Sequence, residues 1–138
     1  PPEQWRDQMP EEMKRPMMLL VRARKGKLVE KIGYLNFIDH TIDLEEKFLP
    51  KFPEGTSQHS LLRNRIQALK TARDLISGEG QPTREDLEFA LPKIESIIHK
   101  MSKARDKYEP EDKNYKRFDP TVQVMTHVRA VILQALEE

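Results

Sequence analysis

Two pairs of potential metal-ligating side chains stand in matching places along the sequence. Asp39 and Asp43 lie four residues apart, as do Glu95 and His99. Residues four apart share one face of an α-helix, and carboxylates and imidazoles on facing helices form the metal sites of some helical bundles. The Glu-x-x-His spacing of those sites is missing, and each residue directly follows an apolar core position. We interpret the four as a solvated flank and keep a metal- or ligand-binding bundle as an alternative.

The remaining candidates for catalysis form no recognisable motif. A general base must be held within hydrogen-bond reach of a nucleophile or a water molecule. The sequence has no Gly-x-Ser-x-Gly, no His-Glu-x-x-His and no phosphate-binding glycine loop. It therefore predicts a protein without catalytic activity and without a cofactor. The histidines occupy unrelated positions: His40, His59, His99 and His127.

Basic residues cluster in the N-terminal arm, which we define as residues 1–34. The cluster consists of Arg22, Arg24, Lys25, Lys27 and Lys31. Few aromatic residues that could stack on bases lie near it, and 24 basic against 23 acidic residues leave a net charge of only +1. A second basic group at 100–107 is explained by the negative end of a helix dipole. A nucleic-acid-associated regulator that uses the arm is therefore an alternative function.

Length and composition limit the scaffold that can position these residues. A chain of 138 residues provides one domain, and 34% charged against 37% apolar residues predicts a narrow core. The absence of cysteine excludes disulfides and thiolate metal sites and fits a reducing compartment. The longest apolar run, Met17–Val21, is far shorter than the roughly 20 residues that span a bilayer. We expect a cytoplasmic protein that does not bind membranes.

An internal repeat is the most informative feature of the sequence. A shift of 56 residues superposes residues 35–76 on residues 91–132 without gaps and gives eight identities in 42 positions. Chance would give two or three, at roughly one match in 16. The identical pairs are Leu35/Leu91, Ile38/Ile94, Ile42/Ile98, Lys47/Lys103, Lys51/Lys107, Gln67/Gln123, Arg73/Arg129 and Ile76/Ile132. We interpret the two segments as copies of one structural unit.

Each copy has the apolar spacing of a helical hairpin. The second helix of copy one carries Leu62, Ile66, Leu69, Ala72 and Ile76, and copy two repeats this spacing with Phe118, Val122, Met125, Val128 and Ile132. Steps of three and four residues align one stripe along a helix. The sequence therefore predicts an all-α protein, in which two tandem helical hairpins pack as a pseudo-two-fold four-helix bundle over residues 35–138.

Capping residues and helix breakers predict the ends of the helices. Asn36–Asp39 and Thr83–Asp86 have the spacing of helix starts, and Asp119-Pro120 predicts the start of the last helix. Pro92 predicts a short helix over 84–90, followed by a break or kink. The breaks between helices are expected at Pro50, Pro53 and Gly55 in the first hairpin and at Gly78, Gly80 and Pro82 between the copies.

The arm allows two readings. Alternating apolar residues over 17–23 and a Lys-Gly-Lys turn are typical of a β-hairpin, which would cover residues 17–34. Leu28, Ile32 and Leu35 instead stand at helical spacing. We favour a partly ordered arm that leads into the first helix.

The combination of a helical bundle with no catalytic motif favours a protein–protein interaction module, of adaptor or regulatory type, which could also form a homodimer. Met13, Met17 and Met18 are candidate partner-binding residues, because methionine adapts to irregular apolar surfaces. Arg73 and Arg129 are candidates because both copies keep them beside the apolar stripe, where they could pair with Asp43 or Glu95.

Overall fold

The described part of the chain is built from α-helices. The computed structural model describes residues 31–138, and no β-strand occurs among them. The helices are α1 over residues 31–48, α2 (Ser57–Ser77), α3 (Arg84–Arg105) and α4 (Lys113–Glu137), and a 3-10 helix, Leu49–Lys51, follows α1. The predicted all-α class is confirmed.

Side-chain caps fix the first residues of α2, α3 and α4. The Thr83 hydroxyl accepts a hydrogen bond from the Asp86 backbone N–H (3.1 Å), and the Asp86 carboxylate accepts one from the Thr83 N–H (2.9 Å). This is the capping box that the sequence predicts. Thr56 caps α2 and Asp112 caps α4 through one side-chain bond each, accepted from His59 N–H (3.2 Å) and Asn114 N–H (2.8 Å).

The predicted breaks between helices are also present. Pro50 and Pro53 follow the last turn of α1, and Gly55 adopts a positive φ of 87° in the connection to α2. Gly78 ends α2 with a φ of 77°, a left-handed conformation that glycine adopts without the clash of a Cβ atom. Both connections are therefore set by local backbone chemistry.

One predicted helix start, Asn36–Asp39, is wrong. Residue 36 lies inside α1, which is already helical at residue 31. Ile32 and Leu35 are partly buried and extend the apolar stripe of Ile38 toward the N-terminus. Because this face is buried, the helix continues through Asn36, which could otherwise have capped it. Residues 31–34 of the arm are thus helical, which excludes a β-hairpin that extends to residue 34. Residues 1–30 lie outside the described residues.

Two predictions based on proline are also wrong. Pro92 does not separate a short helix over 84–90, because α3 is continuous from Arg84 to Arg105, and α4 starts at Lys113 rather than at Asp119-Pro120. Each proline removes one helical hydrogen bond, but both are exposed on the outer face. Buried residues on either side of Pro92, such as Ala90 and Ile94, favour the continuous helix.

The four helices alternate in direction. Ion pairs Arg65–Glu45 (3.4 Å) and Arg73–Asp39 (3.8 Å) join antiparallel α1 and α2. Pairs Arg105–Asp119 (2.8 Å) and Arg129–Glu95 (3.3 Å) do the same for α3 and α4. Helix α2 packs on α3, and the Tyr34 ring stacks on the His127 ring at 4.1 Å, which places α1 beside α4. Both hairpin connections therefore lie at the same end of the bundle, which we call the loop end.

The apolar stripes of all four helices meet in one core. Every helix contributes fully buried residues: Ile38 from α1, Leu69 and Ala72 from α2, Ala90 and Ile94 from α3, and Val128 and Ile132 from α4. Burial of a large aliphatic side chain contributes roughly 1.5–3 kcal/mol relative to exposure. The core therefore supplies the main force that holds the helices in place.

The core predicts a graded response to truncation in α3. We expect Ile94→Ala to lower the free energy of unfolding by about 2–5 kcal/mol, because Ile94 is fully buried. Ile98→Ala should cost at least about 1 kcal/mol less, because Ile98 is only partly buried. Urea unfolding followed by circular dichroism measures both values. Equal losses would contradict the packing described here.

Candidate interaction surface

Exposed apolar side chains concentrate on the loop end of the first hairpin. Among the described residues seven large apolar side chains are exposed, and four of these belong to the α1–α2 hairpin near its connection. We call these four the loop-end patch: Leu44 (43% exposed), Phe48 (50%), Phe52 (36%) and Leu61 (66%). The exposed part of these side chains gains nothing from folding, and exposed apolar patches are typical of interaction sites.

The patch begins as a second stripe along α1. The core stripe of this helix includes Ile38, Ile42 and Leu49. A parallel stripe, displaced by one residue or about 100° around the helix, consists of Phe37, Thr41, Leu44 and Phe48. Phe37 packs against the core, whereas exposure is high at the last two positions. The second stripe thus leaves the core as it approaches the loop end.

The second hairpin lacks this apolar surface. The residues 56 positions after Leu44, Phe48 and Leu61 are Lys100, Ala104 and Arg117. Only Phe52 has an aromatic counterpart, Tyr108, which is 38% exposed. At the 56-residue offset, three of the four apolar residues of the patch are therefore replaced by charged or small residues.

A carboxylate occupies a core-facing position of α1 beside the patch. Glu45 lies between Ile42 and Leu49 along the core stripe, and its side chain is only 16% exposed. Its Oε1 atom is 3.4 Å from Arg65 Nη1, but Oε2 is inaccessible to water and accepts no hydrogen bond from any residue within 31–138. The corresponding residue of α3 is Met101, which packs against the core. At these two positions α1 therefore has an apolar residue followed by an acidic one, whereas α3 has a basic residue followed by an apolar one.

Burial changes the acidity of this group. Desolvation raises the pKa of Glu45 above its usual value of 4.5, and the nearby Arg65 guanidinium opposes this shift. An uncompensated buried acceptor costs roughly 1–3 kcal/mol. The loop end of α1 therefore contains a source of instability that the loop end of α3 lacks.

The loop end of α3 is held to α4 by a partly buried arginine, Arg105. Arg105 donates to Asp106 (2.9 Å) and to Asp119 (2.8 Å), and its guanidinium lies 5.2 Å from the ring centre of Tyr115. The hydrogen bonds to the two carboxylates raise the pKa of Arg105 above its usual value. The residue 56 positions before Arg105 is Leu49, in the 3-10 helix that follows α1.

The structure does not gather the candidate metal ligands into one site. Asp39 pairs with Arg73 (3.8 Å) and Glu95 pairs with Arg129 (3.3 Å), while Asp43 and His99 are exposed. Within residues 31–138 no group of three or more His, Asp or Glu side chains is arranged to hold a metal ion.

The two matched arginines form equivalent ion pairs. The predicted contact between Arg129 and Glu95 is present, but Arg73 contacts Asp39 rather than Asp43. Asp39 and Asp43 are one helical turn apart, and Asp39 is the one that lies opposite Arg73 in the antiparallel pair. The side chains of Arg73 and Arg129 keep 37% and 46% of their surface exposed, so a partner role for them stays a prediction.

Most of the arm candidates cannot be placed. Lys31, the first described residue, is exposed in α1. The other candidates lie outside the described residues: Met13, Met17, Met18, Arg22, Arg24, Lys25 and Lys27.

Sequence reasoning missed the loop-end patch, although a signal for it was present. Apolar residues that do not belong to the repeated stripe are visible when the two copies are compared position by position. Leu44/Lys100 and Leu61/Arg117 are such pairs. The comparison of differences between the copies, rather than of identities, identifies the surface.

Comparison with known proteins adds no relative. No protein-family model matches the chain, and neither characterised proteins nor solved structures give a significant match. Among the described residues no helix is both long and apolar enough to cross a membrane.

The buried carboxylate predicts a pH-dependent stability. A raised pKa means that the folded protein binds the Glu45 proton more tightly than the unfolded chain does. The free energy of unfolding should therefore fall as the pH rises from about 4.5 through the raised pKa. Glu45→Met should remove this contribution and stabilise the protein at neutral pH by about 1–3 kcal/mol. Urea titrations at a series of pH values measure both effects.

Glu46→Gln provides the matched control, because the neighbouring Glu46 is 48% exposed in its pair with Lys70. It should change stability by less than about 1 kcal/mol. A Glu45→Met protein that is no more stable than wild type at neutral pH would contradict the account of this carboxylate.

Proposed function

We propose that this chain is a non-enzymatic protein–protein interaction module of the adaptor or regulatory type, and that it binds an apolar segment of another protein through the loop-end patch. The observation that carries the proposal is the difference between the hairpins. Leu44, Phe48 and Leu61 are exposed in the first, at positions where the second has Lys100, Ala104 and Arg117. Exposed apolar side chains that folding does not need are typical of binding surfaces.

The proposal includes a pseudo-two-fold relation between the hairpins. Three structural matches support it at the 56-residue offset: the helix caps Thr56 and Asp112, the pairs Arg73–Asp39 and Arg129–Glu95, and the fully buried Ile38 and Ile94. Such a relation makes each hairpin an internal control for the other. The same helical positions can be compared with and without the apolar surface.

The size of the side chains favours a protein partner. Phenylalanine and leucine that are accessible on adjacent turns, as Phe48 and Leu44 are, provide an apolar surface for a side chain on a partner helix. Lys51 Nζ lies over the Phe48 ring, 4.7 Å from its centre, so a cation borders the patch. The absence of cysteine fits action in the cytoplasm.

The test exchanges the patch for the residues of the second hairpin. The variant Leu44→Lys/Phe48→Ala/Leu61→Arg places at each position the residue that stands 56 positions later. We expect it to fold as wild type but to lose at least about 90% of the partner protein captured by the immobilised chain, since a loss of 1.4 kcal/mol weakens binding tenfold. Quantitative mass spectrometry of the captured proteins measures the loss.

A matched control changes three exposed positions of the second hairpin, Lys100→Gln/Lys103→Gln/Arg117→Gln, and should retain the partner. Capture that is equal for wild type and the patch variant would contradict the proposal. Light scattering on the purified proteins shows whether the partner is a second copy, since a dimer would then be lost in the patch variant alone. Capture that disappears after nuclease treatment and with rising salt would instead favour nucleic-acid binding.

A further inference from the structure

The loop ends of α1 and α3 are held in different ways. At the end of α3, Arg105 is 17% exposed and joins the helix to Asp119 of α4 through a 2.8 Å charge-assisted hydrogen bond. The corresponding positions in the first hairpin are Leu49 and Arg63, which cannot form this bond. The ion pair that joins the helices of the first hairpin at this end, Arg65–Glu45, is similarly shielded but longer, at 3.4 Å.

The contacts of the α1 loop end are weaker. Its charged groups contact α2 through the ion pairs Arg65–Glu45 (3.4 Å) and Lys70–Glu46 (3.6 Å). Both side chains of the lysine pair are exposed. Exposed pairs of this kind add little stability. Leu44 and Phe48 add little burial here, because about half of each remains exposed.

Glu45 further favours the release of this end. In the folded state its Oε2 atom is inaccessible to water and accepts no hydrogen bond from the described part of the chain. When the helix end separates from α2, water can solvate both oxygens. Met101, at the same position of α3, gains nothing from such a separation and loses its contact with the core.

We propose that residues 43–51 open as a local unit while the rest of the bundle stays folded. Opening frees Leu49, which is partly buried in the closed state, to join Leu44 and Phe48 in one larger apolar surface. A partner that binds this enlarged surface would hold the open form. The use of the opening for binding rests on the proposed function, but the opening itself does not depend on any partner.

Native-state hydrogen exchange of the full chain tests the opening without a partner. Amides of residues 43–48 should have protection factors at least about tenfold lower than those of residues 99–104, the same positions in the second hairpin. Fraying affects both helix ends, so the comparison removes it. Low concentrations of urea should leave exchange at 43–48 nearly unchanged, because a local opening exposes little surface.

Two variants separate local from global opening. Glu45→Met should slow exchange at residues 43–48 by about tenfold, because it removes the unsolvated carboxylate from the closed state. Val128→Ala, in the core of α4 and fully buried, should speed exchange of the amides that open only by global unfolding and leave residues 43–48 unchanged.

Three results would overturn the inference. The first is equal protection of the two helix ends. The second is exchange at 43–48 that follows the global amides in Val128→Ala, which would show that this end opens only with the whole bundle. The third is unchanged exchange in Glu45→Met. Each can occur whether or not the patch variant loses its partner, so the opening and the proposed function can fail separately.

Discussion

The burial of one apolar stripe from each helix is the constraint on which the rest of the structure depends. Ile38, Leu69, Ile94 and Val128 are completely withdrawn from water, and each comes from a different helix. This shared core keeps α3 and α4 continuous although each contains an exposed proline. It also fixes how far the antiparallel helices are shifted along each other, which places Arg73 and Arg129 opposite their carboxylate partners. The surface residues are free to differ as long as this stripe is kept.

The two hairpins differ in the surface residues at their loop ends. In α3 the pair Lys100–Met101 directs charge outward and the apolar side chain toward the core, as expected for an amphipathic helix. In α1 the pair Leu44–Glu45 has the opposite polarity, and one oxygen of Glu45 has no donor among the residues that the structure describes. A stability cost that the fold does not require is typical of functional surfaces. We therefore interpret the loop-end patch and the weakly held end of α1 as parts of one functional surface.

The helical class, the spacing of the core stripe and the main breaks could be predicted from the sequence, because periodicity, capping and glycine conformation are local properties. Asn36 and Pro92 misled the prediction, because tertiary burial on both sides of each residue outweighs a local preference to start or stop a helix. Asp39 and Glu95 resembled metal ligands, but their arginine partners lie far away in sequence. The partial exposure of Leu44 and Phe48 depends on the position of other helices, so a single helix pattern does not reveal it.

The loop-end patch belongs to the surface and not to the core. The most direct test is the free energy of unfolding of Leu44→Lys/Phe48→Ala/Leu61→Arg, measured by urea titration of the full chain. The account predicts a value within about 1 kcal/mol of wild type, as is usual for several surface substitutions. A loss of about 3 kcal/mol or more would place these side chains among the residues that hold the bundle together and would contradict the account.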